Sequence, residues 1–304
     1  MNSARNAVTV RVPGSTSNCG AGFDTLGLAL TVYNRVALTR TPEVFCIPEP
    51  EAECDRRALA LVEETAAAFF LGAARKPMGF RFHIAGEVPV ARGLGSSATI
   101  ITGVLAGLDA LCGTGYGRQK LAAIATALEG NPDNVSPSLL GGFTVSRCDP
   151  TTGAYVDTIR IAVPPELVFV VVSPAMELVT KESRGALPQS VRFIDAARST
   201  NSAAYLTAVF ASGDFEKLRH AVADFMHEPY RLPKIPGAGT AIKAGVAAGA
   251  LTGWLSGSGS SVLCVATQAT AEGVGGAMSE AFGRANLASV VRLLRADNEG
   301  LVVE

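Results

Sequence analysis

Residues 93–98 read Gly-Leu-Gly-Ser-Ser-Ala, and they stand between an alternating strand and an apolar helical face. A strand that must turn through two glycines into a helix leaves few architectures open. The strand is FRFHI at 80–84, running toward Pro89; the helix shows one apolar face through Ile100, Ile101, Val104, Leu105, Leu108 and Leu111. Backbone N–H groups at such a helix start form an anion site, and glycines let a phosphate come close. Ser96 and Ser97 add hydroxyls that can donate hydrogen bonds or bind Mg²⁺. Taken alone, the loop could also be a tight turn with no ligand.

Other chemistries fit less well. The loop matches G-x-G-x-x-A, the dinucleotide fingerprint, but it does not open the first βαβ unit and its strand alternates. An acidic residue ending a second strand is also missing, since Asp109 falls inside the helix. A P-loop is excluded because G-K-[ST] occurs nowhere, and no serine sits in G-x-S-x-G or S-x-x-K. His83, His220 and His227 have no metal-ligand spacing and lie far in sequence from the serine-rich loops.

The remaining segments alternate between the two periodicities. AVTVRVPG reads as a strand ending at Pro13 and Gly14, followed by a turn-rich stretch and a second strand, LALTVYNRVALTR. Pro42, Pro48 and Pro50 punctuate an irregular link, and residues 56–71 read as a helix. A helix over 118–129 stops at Gly130. NPDNVSPS reads as a turn, LLGGFTVSR as a glycine-broken strand, and ELVFVVVSP as a buried strand after a domain change near 150–170. Helices are expected at 198–212, 214–227, 237–249 and 271–285. WLSGSGSSVLCVA reads as one strand with a glycine hinge, and VVRLLRAD as the last strand. Strands that pair through short links among the helices favour an α+β fold over a doubly wound parallel sheet.

Composition narrows the class. Hydrophobic residues make up 48% and charged residues 17%, enough apolar material for a sizeable core in 304 residues. A net charge of -1 argues against nucleic-acid binding. No apolar run approaches a membrane span, and the first residues lack the apolar core of a signal peptide, so a cytoplasmic protein is expected. The six cysteines are scattered without a C-x-x-C pair, which favours reduced thiols.

Read together, three segments carry a resemblance. PGSTSNCGAGFD at 13–24 resembles the first motif of the GHMP small-molecule kinases, PVARGLGSSA at 89–98 their phosphate loop, and LSGSGSSV at 255–262 their third, glycine-rich motif. Order and spacing also fit, across most of the chain. Within that superfamily the chain is most similar to the homoserine kinase branch, through FDTLGLAL (23–30), EGNPDNVSPSLLGGF (129–143), TKESRGALP (180–188) and HEPYRLPKIPG (227–237).

The resemblance implies a two-domain fold. Residues 1–160 would form an ATP-binding domain like domain 2 of ribosomal protein S5, and 161–304 a ferredoxin-like domain. It implies transfer of the ATP γ-phosphoryl to the hydroxyl of L-homoserine, with a homodimer as the expected assembly. The triphosphate would lie on Pro89, Arg92, Gly93, Leu94, Gly95, Ser96, Ser97 and Ala98, with Mg²⁺ on Ser97 and Glu129. Homoserine would be read by Asn18, Asp24, Asn134, Arg184 and Arg231, with Asn134 and Arg184 nearest the chemistry and Asp133 organising the loop. The guanidinium of Arg231 suits the carboxylate, and Asp24 with Asn18 suits the ammonium. Asn131 stands where the family usually has histidine, and no side chain stands out as a general base. Two readings remain beside this one: a related kinase for another small hydroxy-amino acid, and a catalytically silent nucleotide-binding relative.

Overall fold

The first two strands lie antiparallel along almost their whole length: β1 (Ala7–Ser17) pairs with β2 (Leu26–Arg40) from Ala7↔Thr39 to Ser17↔Gly27. In this computed structural model, residues 5–42, 46–49, 55–178 and 180–304 are described; Pro50 and Cys54 lie outside them. β1 does not stop at Pro13 as the sequence suggests. A register shift between Pro13 and Gly14 absorbs the residue that cannot donate to the ladder, and pairing resumes to Ser17. That extension carries Ser17 to the wall of a cavity and Ser15 to the side chain of Asn134.

Five more strands complete the first sheet: β3 (Cys46–Pro48), β4 (Phe80–Gly86), β5 (Phe143–Cys148), β6 (Tyr155–Ile161) and β11 (Val302–Val303). The order is β11-β1-β2-β4-β3, with β5 pairing β2 and β6. Helices α1 (Arg56–Gly72), α2 (Ser96–Cys112), α3 (Arg118–Glu129) and α4 (Val135–Leu140) belong to this half. The apolar face of α2 packs on β1 and β2, with Ile101, Val104, Leu105 and Leu108 meeting Val10, Val12, Val36 and Leu38 in one core. α3 ends where its sequence predicts, at Gly130 with φ 82°.

The second sheet runs β10-β7-β9-β8, all antiparallel: β10 (Ser289–Leu294), β7 (Leu167–Pro174), β9 (Val262–Thr267) and β8 (Thr252–Leu255). Around it lie α5 (Thr180–Gly185), α6 (Phe193–Ser212), α7 (Glu228–Arg231), α8 (Ala238–Ala247) and α9 (Ala271–Arg284). β7 is buried throughout, which explains its unbroken apolar run. Val168, Val170 and Val172 face α8 and α9, while Phe169 and Val171 face a core shared with Leu26, Leu28 and Phe143 of the first sheet. Phe143 stacks on Phe210 at 4.0 Å within that shared core.

Several elements differ from the sequence reading, each for a local reason. The supposed turn NPDNVSPS contains the start of α4, because Pro137 falls in the first turn, where no N–H is needed. The supposed strand LLGGFTVSR therefore begins only at Phe143. The expected helix over 214–227 is a 3₁₀ turn at Phe215–His220 followed by irregular chain. There the Asp224 carboxylate takes the N–H groups of Met226, His227 and Glu228 and starts α7 afresh. The hinged strand is a hairpin, with Leu255 opposite Val262 and residues 256–261 turning back through Gly257 and Gly259. β10 is not the last strand, since β11 returns to β1. β6, without clean alternation against a core, and the short α5 were not read from sequence. No helix among the described residues is long and apolar enough to cross a membrane. Cys19, Cys46, Cys112, Cys148 and Cys264 are free thiols.

Candidate active site

Gly95 caps α2 in the left-handed region, φ 69°, with no side chain capping the helix. The first-turn N–H groups of a helix have no partner of their own, so this end presents donors and the positive end of the dipole. Gly93, Gly95, Ser96, Ser97 and Arg92 line a cavity of about 690 Å³. A Cβ on Gly95 would collide with Ser15 Oγ and sit 3.0 Å from Asn134 Oδ1. The loop 256–261 clasps the other side: Ser256 Oγ donates to Gly93 O at 2.7 Å and the Ser261 N–H to Arg92 O at 3.1 Å. Arg92 Nη1 is buried without a hydrogen-bond partner. Pro89, Leu94 and Ala98 are not in the cavity wall. Leu94 and Ala98 are fully buried beneath the loop, and Leu94 O accepts the Ser15 N–H.

Glu129 ends α3 opposite the start of α2, and both it and Ser97 line the cavity. Burial pushes its carboxyl above the usual range, while a hydrogen bond from Ser97 pulls it back. A hydroxyl and a partly desolvated carboxylate, side by side next to a helix N-terminus, are the hard oxygen donors that Mg²⁺ takes alongside phosphate oxygens. No cluster of three or more acidic, histidine or cysteine side chains among the described residues could hold a metal alone.

The far end of the cavity is charged. Arg184 holds Asp24 through two hydrogen bonds, at 3.1 and 2.8 Å. Arg231 is 3% exposed; its Nη1 donates to Gly257 O at 3.3 Å and its Nε has no partner. Burial and the nearby Arg184 lower its pKa, with Asp24 and Asp133 opposing. Both guanidinium groups lie over the Phe23 ring, at 5.4 and 5.3 Å from its centre. Asn18 is occupied with the fold: its Oδ1 accepts the Asp24 N–H at 3.0 Å and its Nδ2 donates to Gly257 O at 3.2 Å.

Asn134 joins the two ends. Ser15 Oγ donates to its Oδ1 at 2.8 Å, and its Nδ2 donates to Ser17 Oγ at 3.0 Å and Asp133 Oδ1 at 3.2 Å. Asp133 is buried, and desolvation with the nearby Asp24 and Glu129 pushes it up to about 7. With its amide nitrogen facing Asp133, Asn131 donates to Asp133 at 2.6 Å and accepts from Arg184 Nη2 at 3.1 Å. Asn131 thus ties Asp133 to Arg184. Ser17 and Phe23 were not singled out from sequence. Both lie inside the first motif, but only the strand extension and the facing arginines show what they touch.

The family models for the GHMP kinase N-terminal and C-terminal domains match residues 57–142 and 205–284. The homoserine kinase of Moorella thermoacetica is 39% identical over 97% of this chain and 99% of its own length. That of Carboxydothermus hydrogenoformans is 35% identical over 97% and 96%. The crystal structure of homoserine kinase from Cytophaga hutchinsonii superposes with a TM-score of 0.88 at 26% identity, covering 100% of this chain and 99% of that one. A mevalonate diphosphate decarboxylase from Enterococcus faecalis, at 15% identity and a TM-score of 0.70, shares the fold.

Proposed function

This chain belongs to the homoserine kinases of the GHMP kinase family, and from that premise we propose that it phosphorylates the side-chain hydroxyl of L-homoserine with ATP, giving O-phospho-L-homoserine. The observation that carries the reading is one cavity with a bare helix N-terminus at one end and Asp24, Arg184 and Arg231 at the other. The first end suits a triphosphate and the second a zwitterion. We place the domain division at residues 160/161, take Mg²⁺ as the metal, and regard the enzyme as a cytoplasmic homodimer.

Phosphoryl transfer asks for positioning and charge neutralisation more than for covalent chemistry. The N–H groups at the start of α2 and the Arg92 guanidinium hold the phosphates. Mg²⁺ on Ser97 and Glu129 would neutralise charge on the transferring group. Arg231, a buried planar fork, takes the substrate carboxylate; Asp24 takes the ammonium. Arg184 neutralises Asp24 and closes the pocket from the second half of the chain. The substrate hydroxyl then lies by Asn134 and the Ser17 hydroxyl. Its proton passes to a γ-phosphoryl oxygen as the new O–P bond forms, and ADP leaves with the electrons of the old one.

A coupled ADP-release screen over hydroxy-amino acids tests the substrate. Homoserine should give the highest kcat/KM, above threonine, serine and the amino alcohol lacking the carboxylate. A higher value for another hydroxy-amino acid would reassign the substrate, and no ADP release with any of them would make the chain a silent relative.

A further inference from the structure

The loop that carries Asn18 and Asp24 follows a backbone path that is costly for residues other than glycine. Asn18, Cys19 and Asp24 have φ of 64°, 45° and 53°. Such residues persist where the surroundings over-determine them. Two restraints come from the Asn18 amide, which holds the Asp24 N–H and the Gly257 carbonyl. The third comes from far along the chain. His227 is fully buried and its Nε2 lies 2.6 Å from Gly20 O.

A carbonyl only accepts, so Nε2 carries a proton, and the buried Nδ1 is left without a partner. Burial lowers the His227 pKa and favours the neutral ring, while Asp224, whose Oδ2 lies 3.6 Å from Nε2, and the Gly20 carbonyl pull the other way. The ring lies 5.4 Å from that of Phe23, the same ring that carries both guanidinium groups. The main chain of His227 also leads straight into α7, where its carbonyl accepts the Arg231 N–H at 3.1 Å. One residue therefore holds the loop of the first sheet with its side chain and Arg231 with its backbone.

We propose that His227 and Phe23 are positioning residues for recognition of the amino acid: the His227 Nε2–H···O bond to Gly20 locks the loop 18–24 onto α7, and the Phe23 ring held against it fixes the distance between the Asp24 carboxylate and the Arg231 guanidinium. Those two groups read opposite ends of the zwitterion, so the spacing decides which substrate fits. The inference rests on the homoserine reading above. Among the described residues, neither side chain has a hydrogen bond or ring contact to residues 89–98, so KM for ATP serves as the internal control.

The test compares His227→Phe, which keeps a ring and loses the donor, with His227→Gln, which keeps a donor. Phe23→Leu removes the aromatic platform. KM for homoserine, KM for ATP, kcat and Tm are measured for each. His227→Phe should raise KM for homoserine by about tenfold while KM for ATP stays within about twofold, and His227→Gln should recover most of that loss. Phe23→Leu should raise the same KM and narrow the discrimination against the amino alcohol lacking the carboxylate. Equal rises in both KM values, a lower Tm with unchanged KM values, or a glutamine variant no better than phenylalanine would overturn the proposal. Should His227→Phe not fold, Phe23→Leu, at a half-buried position, decides it by the same readout. Wild-type enzyme that does not turn over homoserine refutes the substrate reading instead. Turnover in wild type with unmoved KM values in the variants refutes only the positioning role.

Discussion

Replacing Gly95 with alanine should damage both stability and catalysis, and Gly115→Ala supplies the matched comparison. Gly95 has φ 69° and Gly115 has φ 66°, so an added Cβ meets nearly the same backbone penalty at both, about 1–2 kcal/mol. At Gly115 nothing lies within 4 Å of that Cβ. At Gly95 it collides with Ser15 Oγ and sits 3.0 Å from Asn134 Oδ1, so the 2.8 Å bond between them cannot survive. Losing a part-buried hydrogen bond and leaving its partners unpaired adds about 1–3 kcal/mol. Gly115→Ala should lower Tm by about 2–4 °C and Gly95→Ala by about twice that or more. The catalytic contrast should be larger. Asn134 and the start of α2 both shift, and a displacement of about 1 Å at a positioned group can cost about 10²-fold. Thermal unfolding and coupled ADP release with homoserine measure the two effects. Equal Tm losses with equal activities in the two variants would refute the packing argument, and near wild-type turnover in Gly95→Ala would refute the role of the loop.

Glu129→Gln removes half of the Ser97–Glu129 oxygen pair and should lower kcat by roughly a hundredfold or more at saturating Mg²⁺; near wild-type turnover would show that Glu129 holds no metal. Arg231→Lys removes the planar fork of a side chain only 3% exposed and should weaken use of homoserine by about 1.5–3 kcal/mol in kcat/KM, with KM for ATP within about twofold. An unchanged ratio of homoserine to the decarboxylated analogue in this variant would make Arg231 a structural residue. Burial pushes the Glu228 carboxyl up to about 7, against the 2.7 Å hydrogen bond from the Leu255 N–H. Because the folded value is the higher one, the native state keeps a proton that the unfolded chain has lost, so this contribution to stability is complete below about pH 4.3 and is lost as the pH rises through about 7. Glu228→Gln keeps the acceptor and removes the charge, so its Tm should gain on wild type between about pH 5 and about pH 8; a difference independent of pH would refute the shift.

What was legible in the sequence was local. The periodicity of α2, the glycines before it, the stop of α3 at Gly130 and the apolar run of β7 all appear as read, because each depends on neighbours within a few residues. Elements whose fate is decided by a distant partner were misread. α4 forms through a proline that looks like a turn signal, and the glycine loop 256–261 reads as a hinge until β8 and β9 pair across it. β11 is only two residues long and exists because β1 offers an edge.

The same division runs through the site. The chain by itself placed glycines, hydroxyls and a helix start together in a run of six residues, and it marked the segments bearing Asp24, Arg184 and Arg231. Only the tertiary structure decided how those segments meet. It closes Asp24 onto Arg184 across 160 residues and His227 onto Gly20 across 207, and it brings Asn18 and Arg231 to one carbonyl, that of Gly257. The reason is physical. A hydrogen-bonding periodicity of two or 3.6 residues writes itself into composition, whereas the pairing of a buried guanidinium with a carbonyl depends on strand register and sheet packing, which leave no local pattern in the sequence.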